Sequence, residues 1–313
     1  MNILSPVNTF ESAISVIDSG ADEIYLGADE MLYNSFSFTG RGKRHNNIRR
    51  VNSNFGELKE IVAFAHKNGV KVNFLGNIPF FNDGDYQGKK LEAYYLNYIE
   101  AGICLGIDSL VVGDIGLLKA IRDRNYPVKI HASVYFNTMN TYQMYFLRDL
   151  GVSRVTLNYQ VTKKEIEKFC KENVLDIEVI GYMGCSFYNG MCNFLHEYGE
   201  PSDDSCNTGV ICKGIYRVSG QSEEKLNRIF DVETICCLCT LKELKALGVK
   251  AIKIAGREQD SKVISLVTRL YKDTLCNKKE DTPVVPAWWK RQYCKAKRCK
   301  FKECKNDEYL IGV

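Results

Sequence analysis

No apolar run in the 313-residue chain approaches the ~20 consecutive residues that a bilayer-spanning helix needs, which excludes a helical membrane span. The opening segment, MNILSPVNTFESAISVIDSG, has neither a basic start nor a continuous apolar stretch. A secretory signal is therefore not expected, and a cytoplasmic location is. Signatures of hydrolytic catalysis are missing too. There is no H-E-x-x-H, because His196-Glu197 continues as Tyr198-Gly199-Glu200. There is no G-x-S-x-G, and Ser186 in GCSFYNG is flanked wrongly for a nucleophile elbow. No G-x-G-x-x-G follows the first strand candidate, which weakens an open dinucleotide-binding sheet. With 45% hydrophobic and 26% charged residues, the composition rules out collagen-like, disordered and coiled-coil chains and leaves material for a large core.

What the chain has in excess is cysteine: thirteen of them, in a sequence read as unexported, point to metal binding or redox chemistry rather than disulfides. Cys104, Cys170 and Cys276 stand alone and read as inert core fillers. Cys185, Cys192, Cys206 and Cys212 fall within 28 residues, followed by Cys236, Cys237 and Cys239, and finally by Cys294, Cys299 and Cys304. Charge is uneven as well. Residues 290–305 (KRQYCKAKRCKFKECK) hold eight Lys or Arg against one Glu. Taking that local +7 from the overall +4 leaves −3 for the rest, so the basic character sits in one terminal segment.

Short β-branched or apolar runs alternate with amphipathic stretches along the chain. Eight strands are predicted: Ile3–Val7, Glu23–Gly27, Lys71–Asn77, Ser109–Gly113, Lys129–Val134, Arg154–Asn158, Ile177–Tyr182 and Ala251–Ala255. Helices are predicted between and after them, at Phe10–Ser19, Gly56–Lys67, Leu91–Leu105, Gly116–Arg124, Thr138–Asp149, Lys163–Glu172, Leu241–Ala246 and Asp260–Cys276. Five junctions repeat one phrase: SGADEIYLG, NGVKVNFLG, LGIDSLVVG, LGVSRVTLN and LGVKAIKIAG. In each, Gly is placed to cap a helix in the left-handed conformation just before a buried strand. Eight such units predict an α/β fold, a (β/α)8 TIM-type barrel over residues 1–280. Residues 281–313, with Pro283 and Pro286, read as a linker and a basic Cys-rich tail. Two connections are too long for ordinary loops: 28–55 after strand two, and 184–240 after strand seven. Both leave the carboxyl ends of strands, the face on which barrel enzymes build their sites.

The segment GCSFYNGMC-NFLHEYGEPSDDS-C-NTGVI-C-KGIYR spaces its four cysteines by six, thirteen and five residues. Structural zinc sites use tight C-x2–4-C pairs, absent from this segment, whereas an iron–sulfur cubane spreads its ligands over several ångströms. Iron–sulfur, zinc and unligated thiols all remain open on spacing alone. The chain resembles peptidase family U32, and within it the UbiU-like, iron–sulfur hydroxylase-type branch. That resemblance is carried by ILSPVNTFESAISVIDSGADEIYLG, NFGELKEIVAFAHKNGVKV, HASVYFNTMN, LGVSRVTLN, LGVKAIKIAGR and CKGIY, and covers about residues 1–275, leaving the tail outside. It implies a TIM-type barrel with a [4Fe–4S] cluster on Cys185, Cys192, Cys206 and Cys212, and oxygen-independent hydroxylation of an aromatic small molecule or an RNA base. It also implies a hetero-partner from the same family; a non-catalytic cluster-bearing or RNA-binding subunit and a peptidase are the alternatives.

Substrate groups are then sought at the strand ends. His131 is a candidate acid/base or hydrogen-bond donor, and Arg257 a candidate clamp for a carboxylate or phosphate. The bland alternatives are a satisfied interior histidine and a rim salt bridge. Asn77, Asn137 and Asp114 are weaker candidates, and Arg41, Lys43 and Arg44 can attract an anion or simply be solvated. A second metal site can join Cys236, Cys237 and Cys239 to Cys294, Cys299 and Cys304, against unligated thiols. Trp288, Trp289, Tyr293 and Phe301 among the tail's cations suit RNA through phosphate contacts and base stacking. Aromatics docked on the core beside solvated lysines have the same appearance in sequence, and nothing points to DNA specificity.

Overall fold

A computed structural model describes residues 1–28, 36, 52–78, 85–86, 89–182, 236–257, 259–277, 285–294 and 299–301. Eight strands close into a parallel barrel: β1 (Asn2–Pro6), β2 (Glu23–Leu26), β3 (Lys71–Gly76), β4 (Ser109–Val112), β5 (Lys129–Ala132), β6 (Val152–Thr156), β7 (Asp176–Tyr182) and β8 (Ala251–Ile254). Neighbours in sequence are neighbours in the sheet, and β8 closes on β1 through Asn2↔Ala251, Ile3↔Ile252 and Leu4↔Lys253. Helices α1 (Phe10–Asp18), α2 (Phe55–Lys67), α3 (Leu91–Cys104), α4 (Ile115–Arg124), α5 (Thr141–Asp149), α6 (Lys163–Glu172), α7 (Leu241–Leu247) and α8 (Ser261–Cys276) separate or follow the strands. The fold is the (β/α)8 barrel expected from the alternation.

Local chemistry explains the boundaries. Thr9, Asn54, Asp114, Asn140, Thr162 and Asp260 each accept a hydrogen bond from a backbone N–H of the first turn they cap. The five junction glycines, Gly20, Gly69, Gly106, Gly151 and Gly248, all have φ between 70 and 100°. The main core lies between strands and helices, where Ile3, Ile24, Leu26, Phe74, Leu110, Val155 and Ile252 are buried against helical residues such as Ile61, Leu118 and Val267. The alternate strand positions face the barrel interior.

Some expectations shift. The α5 helix begins at Thr141 rather than Thr138, because β5 stops at Ala132 and Ser133 opens a single 3-10 turn, Val134–Phe136. Asn137 then reverses the chain at φ 48°, and only at Asn140 does a side chain cap the next helix. A two-rung hairpin, Asp85–Tyr86 with Lys89–Lys90, was not foreseen. Two of the three lone cysteines are not core fillers: Cys104 and Cys276 end α3 and α8 in exposed positions, whereas Cys170 is half-buried and packs against the core. The tail docks on the barrel. A helical turn, Ala287–Trp289, continues as Lys290–Cys294 and buries Trp289 and Tyr293 completely. Among the described residues no helix is long and apolar enough to cross a membrane.

Candidate active site

The two flanks of the long insertion meet at the mouth of the barrel. The β7 strand ends at Tyr182, and the described chain resumes at Cys236, which forms an antiparallel bridge back to Tyr182. Cys237 N–H donates to the Gly181 carbonyl at 3.0 Å and so pins the return. At Gly181 an added Cβ would lie 2.5 Å from Ile252 Cγ2 and 2.7 Å from Cys237 Sγ, so the two segments meet as closely as glycine allows. Cys185, Cys192, Cys206 and Cys212 lie outside the described residues, between these flanks. Arg41, Lys43, Arg44 and Cys304 also lie outside them.

The tail completes this corner. Cys236 also forms a parallel bridge with Cys299, and Lys300 N–H donates to the Cys236 carbonyl at 2.9 Å. Lys300 Nζ donates to the Ile180 carbonyl at 2.9 Å, and burial pulls its pKa down to about 8. Burial likewise pushes the Cys236 and Cys237 thiols up, the latter to about 12. The structure thus brings Cys236 beside Cys299. Among the described residues, no three His, Cys, Asp or Glu side chains converge as a metal site. Trp289 stacks on Tyr182 at 5.7 Å and packs on Tyr293 at 4.4 Å. Tyr182 and Tyr293 share a hydroxyl contact of 3.2 Å. Docking on the core therefore accounts for Trp289 and Tyr293, which are not free to stack on bases.

Inside the barrel lies a polar network that the strand predictions did not single out. Arg154 of β6 donates to both oxygens of Glu23 on β2, at 2.7 and 2.9 Å. Glu23 also accepts from Asn2 and Asn73. Burial alone would raise its pKa, but the paired guanidinium and these amides bring it down to about 2. Glu178 of β7 accepts from Thr156 Oγ1 at 2.9 Å and stands 3.6 Å from both Arg154 Nη1 and Lys253 Nζ. Removing one member of a buried ion pair of this kind costs roughly 3–5 kcal/mol. The signal was in the sequence as a charged residue within each apolar run: Glu23 in DEIYLG, Arg154 in SRVTLN, Glu178 in DIEVIGY and Lys253 in AIKIAG.

His131 is placed among these groups, on β5 beside Val111 and Arg154. It is buried, its Nδ1 has no hydrogen-bond partner, and its pKa is lowered to about 3. Burial is the main cause and the Arg154 charge the second. The imidazole is thus a neutral hydrogen-bonding group at ordinary pH rather than an imidazolium acid. Arg257 lies past β8, buried, with Nη1 donating to Asn52 Oδ1 at 2.7 Å while its carbonyl accepts from Asn8. It lines a small cleft with Asn8, Ser12 and Gln259. The weaker candidates have structural work: Asp114 caps α4, and Asn137 Oδ1 accepts from Asn158.

A sequence profile described as peptidase family U32 matches residues 8–306. The chain belongs to that family. The match runs through the basic tail, which the resemblance had left outside, and agrees with the docking of the tail on β7. Similar proteins include the 23S rRNA 5-hydroxycytidine C2501 synthase of Escherichia coli (strain K12), 24% identical over 88% of this chain and 39% of that one. The tRNA hydroxylation protein P1 of Bacillus subtilis (strain 168) is 23% identical over 91% of this chain and 66% of its own length. The structure of the U32 peptidase Mk0906 superposes with a TM-score of 0.50 at 13% identity, covering 83% of this chain and 95% of that one, and shares the fold. The chain thus spans about two fifths to two thirds of the length of these two curated relatives.

Proposed function

We propose that this barrel belongs to an iron–sulfur-dependent, oxygen-independent hydroxylase acting on an RNA base. The observation that supports the reading is the bridge between Tyr182 and Cys236 at the carboxyl-terminal mouth of the barrel, the two positions between which the four-cysteine stretch lies in the sequence. The names of relatives that hydroxylate cytidine in rRNA or act in tRNA hydroxylation support the substrate class. Four thiols between those flanks suit a [4Fe–4S] cluster on Cys185, Cys192, Cys206 and Cys212. Such a cluster, when bound, supplies electron transfer. The chain's own groups do the recognition: His131 offers an uncharged imidazole inside the barrel, and Arg257, oriented by Asn52, offers a cation at the rim.

Peptide hydrolysis has less behind it. Among the described residues no serine or cysteine is hydrogen-bonded to His131, as an activated nucleophile requires. The test is anaerobic purification with iron and sulfide analysis, alongside mass spectrometry of rRNA and tRNA from cells with and without the protein. Stoichiometric iron and sulfide that fall together in Cys212→Ala, with a hydroxylated pyrimidine lost in parallel, are expected. Iron-free protein that still restores the modification would overturn the cluster. An RNA modification profile that never changes would overturn the substrate class.

A further inference from the structure

The connection leaving β5 and the first turns of α5 are aromatic and uncharged. Residues 133–147, SVYFNTMNTYQMYFL, carry five aromatic rings and no charged side chain. Six large apolar side chains are exposed among the described residues, and three lie here: Met139 at 39%, Tyr142 at 83% and Phe146 at 55%. Tyr142 and Phe146 stand four apart on α5 and so share one face of the helix. The ring between them is committed elsewhere: the Tyr145 hydroxyl donates to Glu172 of α6 at 3.0 Å, and Arg148 lies over its face. Because α5 follows the carboxyl end of β5, the exposed face begins at the mouth of the barrel.

Polar contacts tie this face to the basic tail. Asn158 Nδ2 donates to Asn137 Oδ1 at 2.9 Å, and Asn158 N–H donates to the Thr138 carbonyl at 3.3 Å, fastening the connection after β6 to the one after β5. The next residue, Tyr159, lies under the tail, with Lys300 Nζ 5.8 Å from its ring centroid. Just beyond, α6 opens on Lys163 and Lys164. Cations in a first turn meet the positive end of the helix dipole and are unfavourable there. Glu243 answers Lys163 at 2.9 Å, whereas Lys164 is exposed and makes no ion pair among the described residues. A rim that passes from uncharged rings through Lys164 to a tail with eight cations suits a polyanion carrying flat apolar groups. A second copy of the chain suits it less, since a stable interface draws on roughly 20–30 residues a side and this is one helix face.

We propose that Tyr142 and Phe146 stack on unpaired RNA bases flanking the target nucleotide, while Lys164 takes a phosphate between them and the tail. This assignment rests on the RNA-base reading and adds to it the path by which the strand crosses the rim. The path is selective for single strands, because a base inside a duplex has no open ring face to offer.

The test uses full-length, anaerobically purified protein, with fluorescein-labelled oligouridine as the single strand and a fully paired RNA duplex of the same length as control, read by anisotropy. Tyr142→Ala and Phe146→Ala should each weaken oligouridine binding by about fivefold to a hundredfold, the loss typical of one stacked base. Both should bind the duplex and melt as wild type does, because the rings they remove are exposed. Tyr142→Phe, which keeps the ring, should bind oligouridine like wild type. Lys164→Gln should flatten log K against log salt by ~0.7 on the single strand, whereas the alanine variants leave that slope unchanged. If an alanine variant does not fold, glutamine at the same position serves for the same readings. Unchanged oligouridine affinity in both alanine variants overturns the path and leaves the proposed function standing. Equal losses on single strand and duplex also overturn it. A wild-type dimer that Tyr142→Ala splits in sedimentation gives the face to a second copy and overturns the path as well. Wild type that binds neither RNA overturns the RNA-base reading, and the path with it. Because binding is read without turnover, wild type that stacks oligouridine on these rings but hydroxylates no RNA overturns the proposed function and spares the path.

Discussion

His131 shows how a single side chain can report on the charge around it. Its folded pKa is about 3, below the ordinary value of 6.5, so the folded protein refuses a proton that the unfolded chain accepts. Stability tied to this residue is fully present above pH 6.5 and is lost as pH falls from there toward 3, at up to ~1.4 kcal/mol per pH unit. Glu23, lowered to about 2, adds its own loss only below its ordinary 4.5, so the window from 6.5 to 4.5 belongs to the histidine. Urea unfolding of wild type and His131→Phe at pH 7 and pH 5 should show the wild type losing the larger share. Equal losses would mean that the imidazole is charged or solvated in the fold. Arg257 was legible as a candidate because it stands just past a predicted strand, and His131, inside one, because imidazole is the commonest acid–base side chain. Lys253, Glu178 and Arg154 were passed over because each sits inside an apolar run, where charge looks like an interruption of the strand rather than its inward-facing content.

At the scale of elements, punctuation decided what could be read. Glycine marks five helix ends, and at each the structure has the left-handed residue that the junction phrase called for. Two other helices close with asparagine in the same conformation, Asn125 at φ 50° and Asn173 at φ 49°, and no repeated phrase announced them. The tail was the hardest element to read, since cations between aromatics describe an RNA-binding strand and a docked segment equally well. Burial separates them: Trp289 is 0% and Tyr293 1% exposed, packed on Tyr182 and Tyr271. The chain has only two tryptophans, Trp288 and Trp289, so their emission reports this docking directly. Trp289→Ala should cost roughly 3–5 kcal/mol, as loss of a large buried aromatic does. In Trp288→Phe, which leaves Trp289 alone, emission should be blue-shifted and protected from acrylamide until the barrel unfolds. A solvent-like emission from that variant would show the tail detached in solution.

For the molecule as a whole, the docking changes what the basic segment can do. The described part of the tail packs on the near-neutral barrel through Trp289, Tyr293 and Lys300, so deleting it would damage the fold along with any binding. With those aromatics committed to the core, what this corner offers to the proposed RNA substrate is charge, for phosphates rather than bases. Arg291 is exposed there, and Lys297 and Arg298 follow in the sequence. Replacing all three by Gln should weaken tRNA binding to about the same degree whatever the sequence of the RNA. Each lost contact to a single strand flattens log K against log salt by ~0.7, so the triple variant should flatten it by about 2. Filter binding between 50 and 200 mM salt, the range over which such phosphate contacts typically show, would measure the slope. A slope equal to that of wild type would move the phosphate contacts to other faces of the barrel, whereas a loss confined to particular RNA sequences would mean that the tail reads bases after all.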